Sequence, residues 1–109
     1  MKIALITGAN KGIGLETVKQ LSKKGLFVYL GSRNLLKGNI VVQNLIENGY
    51  QNIKAIEIDV TKPDTILKAK SIVETEHGHL DILINNAGIS GNVPQLSLIH
   101  ISEPTRQEA

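Results

Sequence analysis

Ile3-Ala4-Leu5-Ile6-Thr7-Gly8-Ala9-Asn10-Lys11-Gly12-Ile13-Gly14 opens the chain with its most specific local pattern. The first four residues form an apolar run of β-favouring character. The glycine-rich segment breaks that run, and Leu15 to Lys24 then reads as a helix. A strand that breaks into a glycine-rich turn and restarts as a helix is a phosphate cradle. Gly8 permits the tight turn, Gly12 keeps no side chain between the backbone and a pyrophosphate, and Gly14 lets helix and strand pack closely. The free N–H groups and positive dipole end of the helix face the phosphates. The glycine spacing, three residues and then one, differs from G-x-G-x-x-G.

Along the chain, strands are expected over 2–7, 26–30, 53–58 and 80–84, and helices over 13–24, 35–48 and 63–76. Ile13, Thr17, Val18 and Leu21 form the first helical stripe, and Gly25 stops it. Leu26-Phe27-Val28-Tyr29-Leu30 is apolar without alternation, the mark of a strand buried on both faces. Gly31-Ser32-Arg33-Asn34 reads as the loop that follows. The second helix is expected to bury Ile40, Val41, Asn44, Leu45 and Ile46. The third starts at Pro63, a good first helical position. Its expected stripe is Ile66, Leu67, Ala69, Lys70, Ile72 and Val73. Strands alternating with helices imply an α/β fold, a doubly wound parallel sheet of Rossmann type. The fourth strand should lie beside the first, opposite the second, with a ligand crevice between strands one and four.

Composition narrows the classes. The chain has 109 residues, 41% hydrophobic and only 3% aromatic, enough for one domain with an aliphatic core. Net charge is +2 with scattered basic residues, so nucleic acid is not the implied partner. There is no cysteine for a disulfide or thiolate metal site. No run suits a signal-peptide core or a membrane span, so the expected location is cytoplasmic. His77 and His79 flank a glycine without further ligands nearby. They read as an exposed helix terminus near the last carbonyls, not as a metal site.

Three motifs in order, each ending an expected strand, carry a resemblance: Thr7-Gly8-x-x-x-Gly12-x-Gly14, Asp59-Val60 and Asn85-Asn86-Ala87-Gly88. Together they resemble the short-chain dehydrogenase/reductase family over residues 1 to about 95, and Asn10-Lys11-Gly12-Ile13-Gly14-Leu15 is most similar to its carbonyl-reductase-type members. The resemblance implies hydride transfer between a nicotinamide and a carbonyl or alcohol, a small-molecule substrate. It implies a cofactor site of Gly8, Asn10, Lys11, Gly12, Ile13, Gly14, Arg33, Asp59, Val60, Asn86, Ala87 and Gly88. Arg33 stands where a carboxylate would select NAD; its planar fork suits the 2′-phosphate of NADP(H), with Lys11 as a second charge. The alternative is a solvated loop arginine. By resemblance Asp59 accepts from the adenine amino group, and the alternative is a helix cap. Asn85 is expected to tie strands together.

The family's proton-transfer group is a tyrosine with a lysine four residues on, plus a serine that positions the substrate oxygen. Tyr50 and Lys54 have that spacing but precede the third strand, so the match reads as coincidence. No catalytic residue is therefore assigned. The chain is expected to bind a dinucleotide without turnover, with the sheet truncated after the fourth strand and its apolar edge bare, an invitation to aggregate. A non-catalytic dinucleotide-binding module is the alternative. A methyltransferase-like fold fits neither Arg33 nor the Asn-Asn-Ala-Gly turn. Finally, the run from Leu96 to Arg106 resembles a translated transposase adapter from short-read library preparation, so 96–109 is expected to be a non-native or disordered tail beyond a cofactor-binding part over 1–95.

Overall fold

A computed structural model describes residues 1–86 and the backbone of 106–108. The order is β1 (Ile3–Ile6), α1 (Gly12–Lys23), β2 (Phe27–Ser32), α2 (Leu35–Glu47), β3 (Ile53–Glu57), α3 (Pro63–Glu76), β4 (Ile82–Ile84) and β5 (Arg106–Glu108). All pair in parallel in one sheet, ordered β3-β2-β1-β4-β5. The fourth strand thus lies beside the first and opposite the second. The β4 edge, expected to be bare, carries β5. The rest of the expected tail, 96–105 and 109, lies outside the described residues. Among the described residues, no helix is long and apolar enough to cross a membrane.

The non-alternating strands have a direct cause. Ile3 and Leu5 of β1 face one layer with Tyr29, Ile56, Ile66, Val73 and Leu83. Ala4 and Ile6 face the other with Val18, Val28, Leu30, Val42 and Leu45. Helix α3 covers the first layer, and α1 and α2 cover the second. A strand covered on both faces gains from apolar residues at every position.

Several expectations are corrected. Gly31 and Ser32 continue β2 instead of opening the loop. A Cβ on Gly31 would stand 2.6 Å from the Ile6 carbonyl oxygen and 2.7 Å from Ile58 Cγ2, so this strand end passes too close to its neighbours for a side chain. Helix α2 buries Gly38, Val42 and Leu45, while Ile40 and Ile46 are exposed. Its contact face is rotated from the expected one because Gly38 lets the helix settle on Ser32 and Ala55. Helix α3 buries Ile66, Ala69 and Val73 but leaves Leu67 exposed. In α1, Gly14 and Val18 are buried, and Ile13 is 80% exposed.

His77 is not an exposed terminus. It is half-buried, and its ring lies 4.4 Å from that of Phe27. The fully buried Tyr29 donates its hydroxyl proton to Glu76 Oε1 at 2.6 Å. His77 Nδ1, 2.8 Å from the same phenol oxygen, is therefore a donor. Lys54 closes the network with an ion pair to Glu76. Burial, followed by the bond to Glu76, pushes the Tyr29 hydroxyl far above its ordinary range. The Lys54 ammonium, followed by the Tyr29 hydroxyl, holds the Glu76 carboxyl below its ordinary 4.5.

Two consequences are measurable. Tyr29→Phe is expected to cost about 1.5–3 kcal/mol in urea unfolding, the worth of a hydrogen bond to a charged group. A carboxyl whose folded-state affinity for protons is depressed contributes stability above its unfolded value, and that contribution disappears as pH falls through the lower folded one. Melting temperature should accordingly fall as pH drops below about 4.5, and Glu76→Gln should shrink that dependence. An identical acid dependence in the variant would contradict the network's role.

Candidate functional site

The ends of β1 and β4 are tied at the crevice. Thr7, buried at the end of β1, donates its hydroxyl to Asn85 Oδ1 at 3.1 Å and accepts from the Asn86 backbone N–H at 2.9 Å. Asn86 Nδ2 donates to the Gly8 carbonyl at 3.2 Å. Asn85 does bridge strands, as expected, and Asn86 also braces the glycine turn. Beyond it, Gly8 has φ of 59° and Gly12 of 66°, left-handed values that glycine adopts without strain.

The α1 N-terminus differs from that of α2. Asn34 caps α2 by accepting from the Lys37 N–H at 3.1 Å. Lys11 occupies the N-cap of α1, with no side-chain cap bond and no acidic residue in the first turn. The first amides of α1 and its positive dipole end thus lack an acceptor from a capping side chain. A Cβ on Gly12 would meet nothing within 4 Å, so the space before these amides is open. A Cβ on Gly14 would stand 2.4 Å from Asn86 Nδ2, 2.7 Å from the Gly8 oxygen and 2.9 Å from Ala9 Cα. Gly14 is the packing glycine behind the turn, and Gly12 faces the opening.

That opening is a cleft of about 350 Å³. Gly8, Asn10, Lys11 and Gly12 line one side. Arg33 lies at the end of β2, Asp59 and Val60 follow β3, and Asn86 follows β4. Eight of the expected site residues therefore converge. Gly14 lies behind the wall, Ile13 points to solvent, and Ala87 and Gly88 lie outside the described residues. A second recess of about 380 Å³ shares Asn10, Lys11, Arg33 and Asp59 and adds Ser32, Asn34 and Lys37. Lys37 was missed by the sequence reading. Its signal was present: it lies four residues after Arg33, in the first turn of α2. The buried Ser32 hydroxyl donates to the Asn34 carbonyl at 2.9 Å and accepts from the Asn34 N–H at 3.2 Å, which fixes the backbone on both sides of Arg33.

Asp59 does not cap α3, whose N-cap is Lys62. Its Oδ1 accepts from the Thr61 hydroxyl at 2.6 Å and the Thr61 N–H at 3.0 Å. These bonds, with smaller help from Lys62 and Arg33, hold the carboxyl below its ordinary range. The cleft thus carries two cations, Lys11 and Arg33, and one ionised acceptor at Asp59, and the adjoining recess adds Lys37. Neither tyrosine lines it. Tyr29 is buried, and Tyr50 lies under Lys23 in a separate crevice. Lys54 pairs with Glu76, so the Tyr50 and Lys54 spacing does not build a proton-transfer pair. Among the described residues, no three His, Cys, Asp or Glu side chains converge to hold a metal.

Salutaridine reductase of Papaver somniferum is 42% identical over 91 residues, covering 83% of this chain and 29% of that protein. A (+)-neomenthol dehydrogenase of Capsicum annuum is 43% identical over 93 residues, covering 83% and 30%. Among solved structures, menthone neomenthol reductase from Mentha piperita aligns with a TM-score of 0.78 at 38% identity, over 81% of this chain and 32% of that one. An actinorhodin polyketide ketoreductase with NADPH aligns at 0.73 with 34% identity, over 83% and 34%. The chain spans about a third of the length of these proteins. The family model described as short chain dehydrogenase matches residues 2–102. On that match and these identities, the chain belongs to the short-chain dehydrogenase family.

Proposed function

We propose that the cleft holds NADP(H), and that this stretch is the cofactor-binding part of a reductase acting on a carbonyl or alcohol. One observation carries the reading: an α1 N-terminus without a side-chain cap opens through Gly12 onto a cleft with Arg33 on its far side. A pyrophosphate suits the free amides of that helix start. A 2′-phosphate suits Arg33, assisted by Lys11 and Lys37, because a guanidinium bonds phosphate through two parallel donors. A bound nicotinamide supplies or accepts the hydride. The residues of this chain bind and orient it, with Asp59 taking the adenine amino group, the Val60 backbone beside the adenine ring and Asn86 along the ribose.

The structure of a relative with NADPH supports the phosphorylated cofactor. Proton transfer is not assigned to these residues, since neither Tyr29 nor Tyr50 lines the cleft. Titrating the purified chain into NADPH and following its fluorescence tests the reading. Saturable binding is expected, without turnover of added carbonyl compounds. A chain shown to be folded by circular dichroism that gives no saturation would contradict it.

A further inference from the structure

The loop after β3 is held by two threonines that no assigned role uses. Thr65 accepts from the Asp59 N–H at 2.9 Å, and its hydroxyl lies 2.9 Å from the Asp59 carbonyl and 2.8 Å from that of Lys62. The Lys62 N–H also donates to the Asp59 carbonyl at 2.9 Å. The backbone of Asp59 is thus pinned on both sides. Its side chain is pinned separately, because Thr61 places its hydroxyl and its N–H on the same oxygen, Oδ1. Among the described residues, no group donates to Oδ2.

We infer that Thr61 is a positioning residue for base recognition: by occupying Oδ1 with both its donors, it turns Oδ2 of Asp59 into the cleft as a fixed, single acceptor for an exocyclic amino group. The inference rests on the cofactor reading above. The chemistry follows from the geometry. A carboxylate free to rotate about its terminal torsion offers two equivalent oxygens and must lose that freedom on binding. A carboxylate whose first oxygen is already bonded is preorganised. The same two bonds keep it ionised, and an ionised acceptor makes the stronger hydrogen bond. The hydroxyl of Thr61 adds a donor that the backbone alone does not supply. Serine retains it, and valine, with nearly the same shape, lacks it.

The test compares NADPH with its analogue carrying hydrogen in place of the adenine amino group, both titrated by fluorescence onto the full chain. The unsubstituted chain is expected to prefer the amino form by about tenfold, the worth of one hydrogen bond to a charged acceptor. Thr61→Val should reduce that preference to about twofold, and Thr61→Ser should keep it. In an Asp59→Asn background, Thr61→Val should change the preference no further, because the threonine acts through the carboxylate. A general loss of folding or affinity would weaken both ligands alike and leave the ratio unchanged. If the unsubstituted chain binds NADPH and discriminates, but Thr61→Val discriminates equally well, the positioning role is overturned while the cofactor reading stands. The positioning role is also overturned if Thr61→Val lowers the ratio equally in the Asp59→Asn background. If the unsubstituted chain binds without discriminating, the base-recognition role of Asp59 fails and the inference fails with it. If it does not bind NADPH at all, both readings fall.

Discussion

Gly14→Ala is expected to lower the unfolding free energy by about 2–3 kcal/mol, at the upper end of the usual range for overpacking a close contact. The added methyl group would lie 2.7 Å from the Gly8 oxygen and 2.9 Å from Ala9 Cα. Both are backbone atoms of the turn and cannot swing aside as a flexible side chain can. The third neighbour, Asn86 Nδ2, is held by its bond to Gly8. Relief requires α1 to lift from the turn, which disturbs the packing of Val18 against the sheet. Gly12→Ala is the matched control. Its methyl group meets nothing within 4 Å, so only the strain at φ of 66° remains, about 1 kcal/mol. Urea unfolding of the two variants measures the difference. Equal destabilisation would contradict the assignment of packing to Gly14 and open space to Gly12.

Arg33→Ala is expected to weaken NADPH binding by about 30- to 100-fold while changing NADH affinity by less than about threefold, since bonds between charged groups are worth roughly 2–3 kcal/mol. The selectivity, more than the magnitude, is diagnostic. Arg33 lines both the cleft and the adjoining recess, where Lys11 and Lys37 join it, and only the 2′-phosphate distinguishes the two ligands. Lys37→Ala should act in the same direction by a smaller factor, because an ammonium is a point charge without the guanidinium fork. Parallel losses for NADPH and NADH in Arg33→Ala would make the arginine a general electrostatic contributor and remove the basis for preferring the phosphorylated cofactor.

Much of this architecture was readable from local pattern. The break from Ile3–Ile6 into glycines, the unalternating 26–30 run and Pro63 at the start of α3 each announced an element. The alternation of strand and helix then determined where loops gather. What escaped depended on contacts remote in sequence. Gly31 and Ser32 look like turn residues, yet Gly31 extends β2 because Ile6 and Ile58 leave no room for a side chain. Ile40 and Ile46 look like core residues, yet the face of α2 is chosen by Gly38 seating against Ser32 and Ala55. The bond between Tyr29 and Glu76 spans 47 residues, and no periodicity encodes it. In the site, the glycines and Arg33 stood out because backbone freedom and phosphate chemistry demand particular residue types, whereas Asp59 stood out only through the family resemblance. Lys37 did not, because a lysine in a first helical turn is ordinary until Arg33 is seen beside it. Thr61 was hidden for the same reason, as its role concerns another side chain.

Amide hydrogen exchange with and without NADPH shows which loops take up the dinucleotide. Added NADPH should slow exchange in three separated segments, Gly8 to Leu15, Arg33 to Asn34, and Asp59 to Thr61. Protection absent from these segments, or confined to the crevice around Ser22 and Tyr50 at the other end of α1, would rule out a dinucleotide held at the ends of β1, β2 and β3.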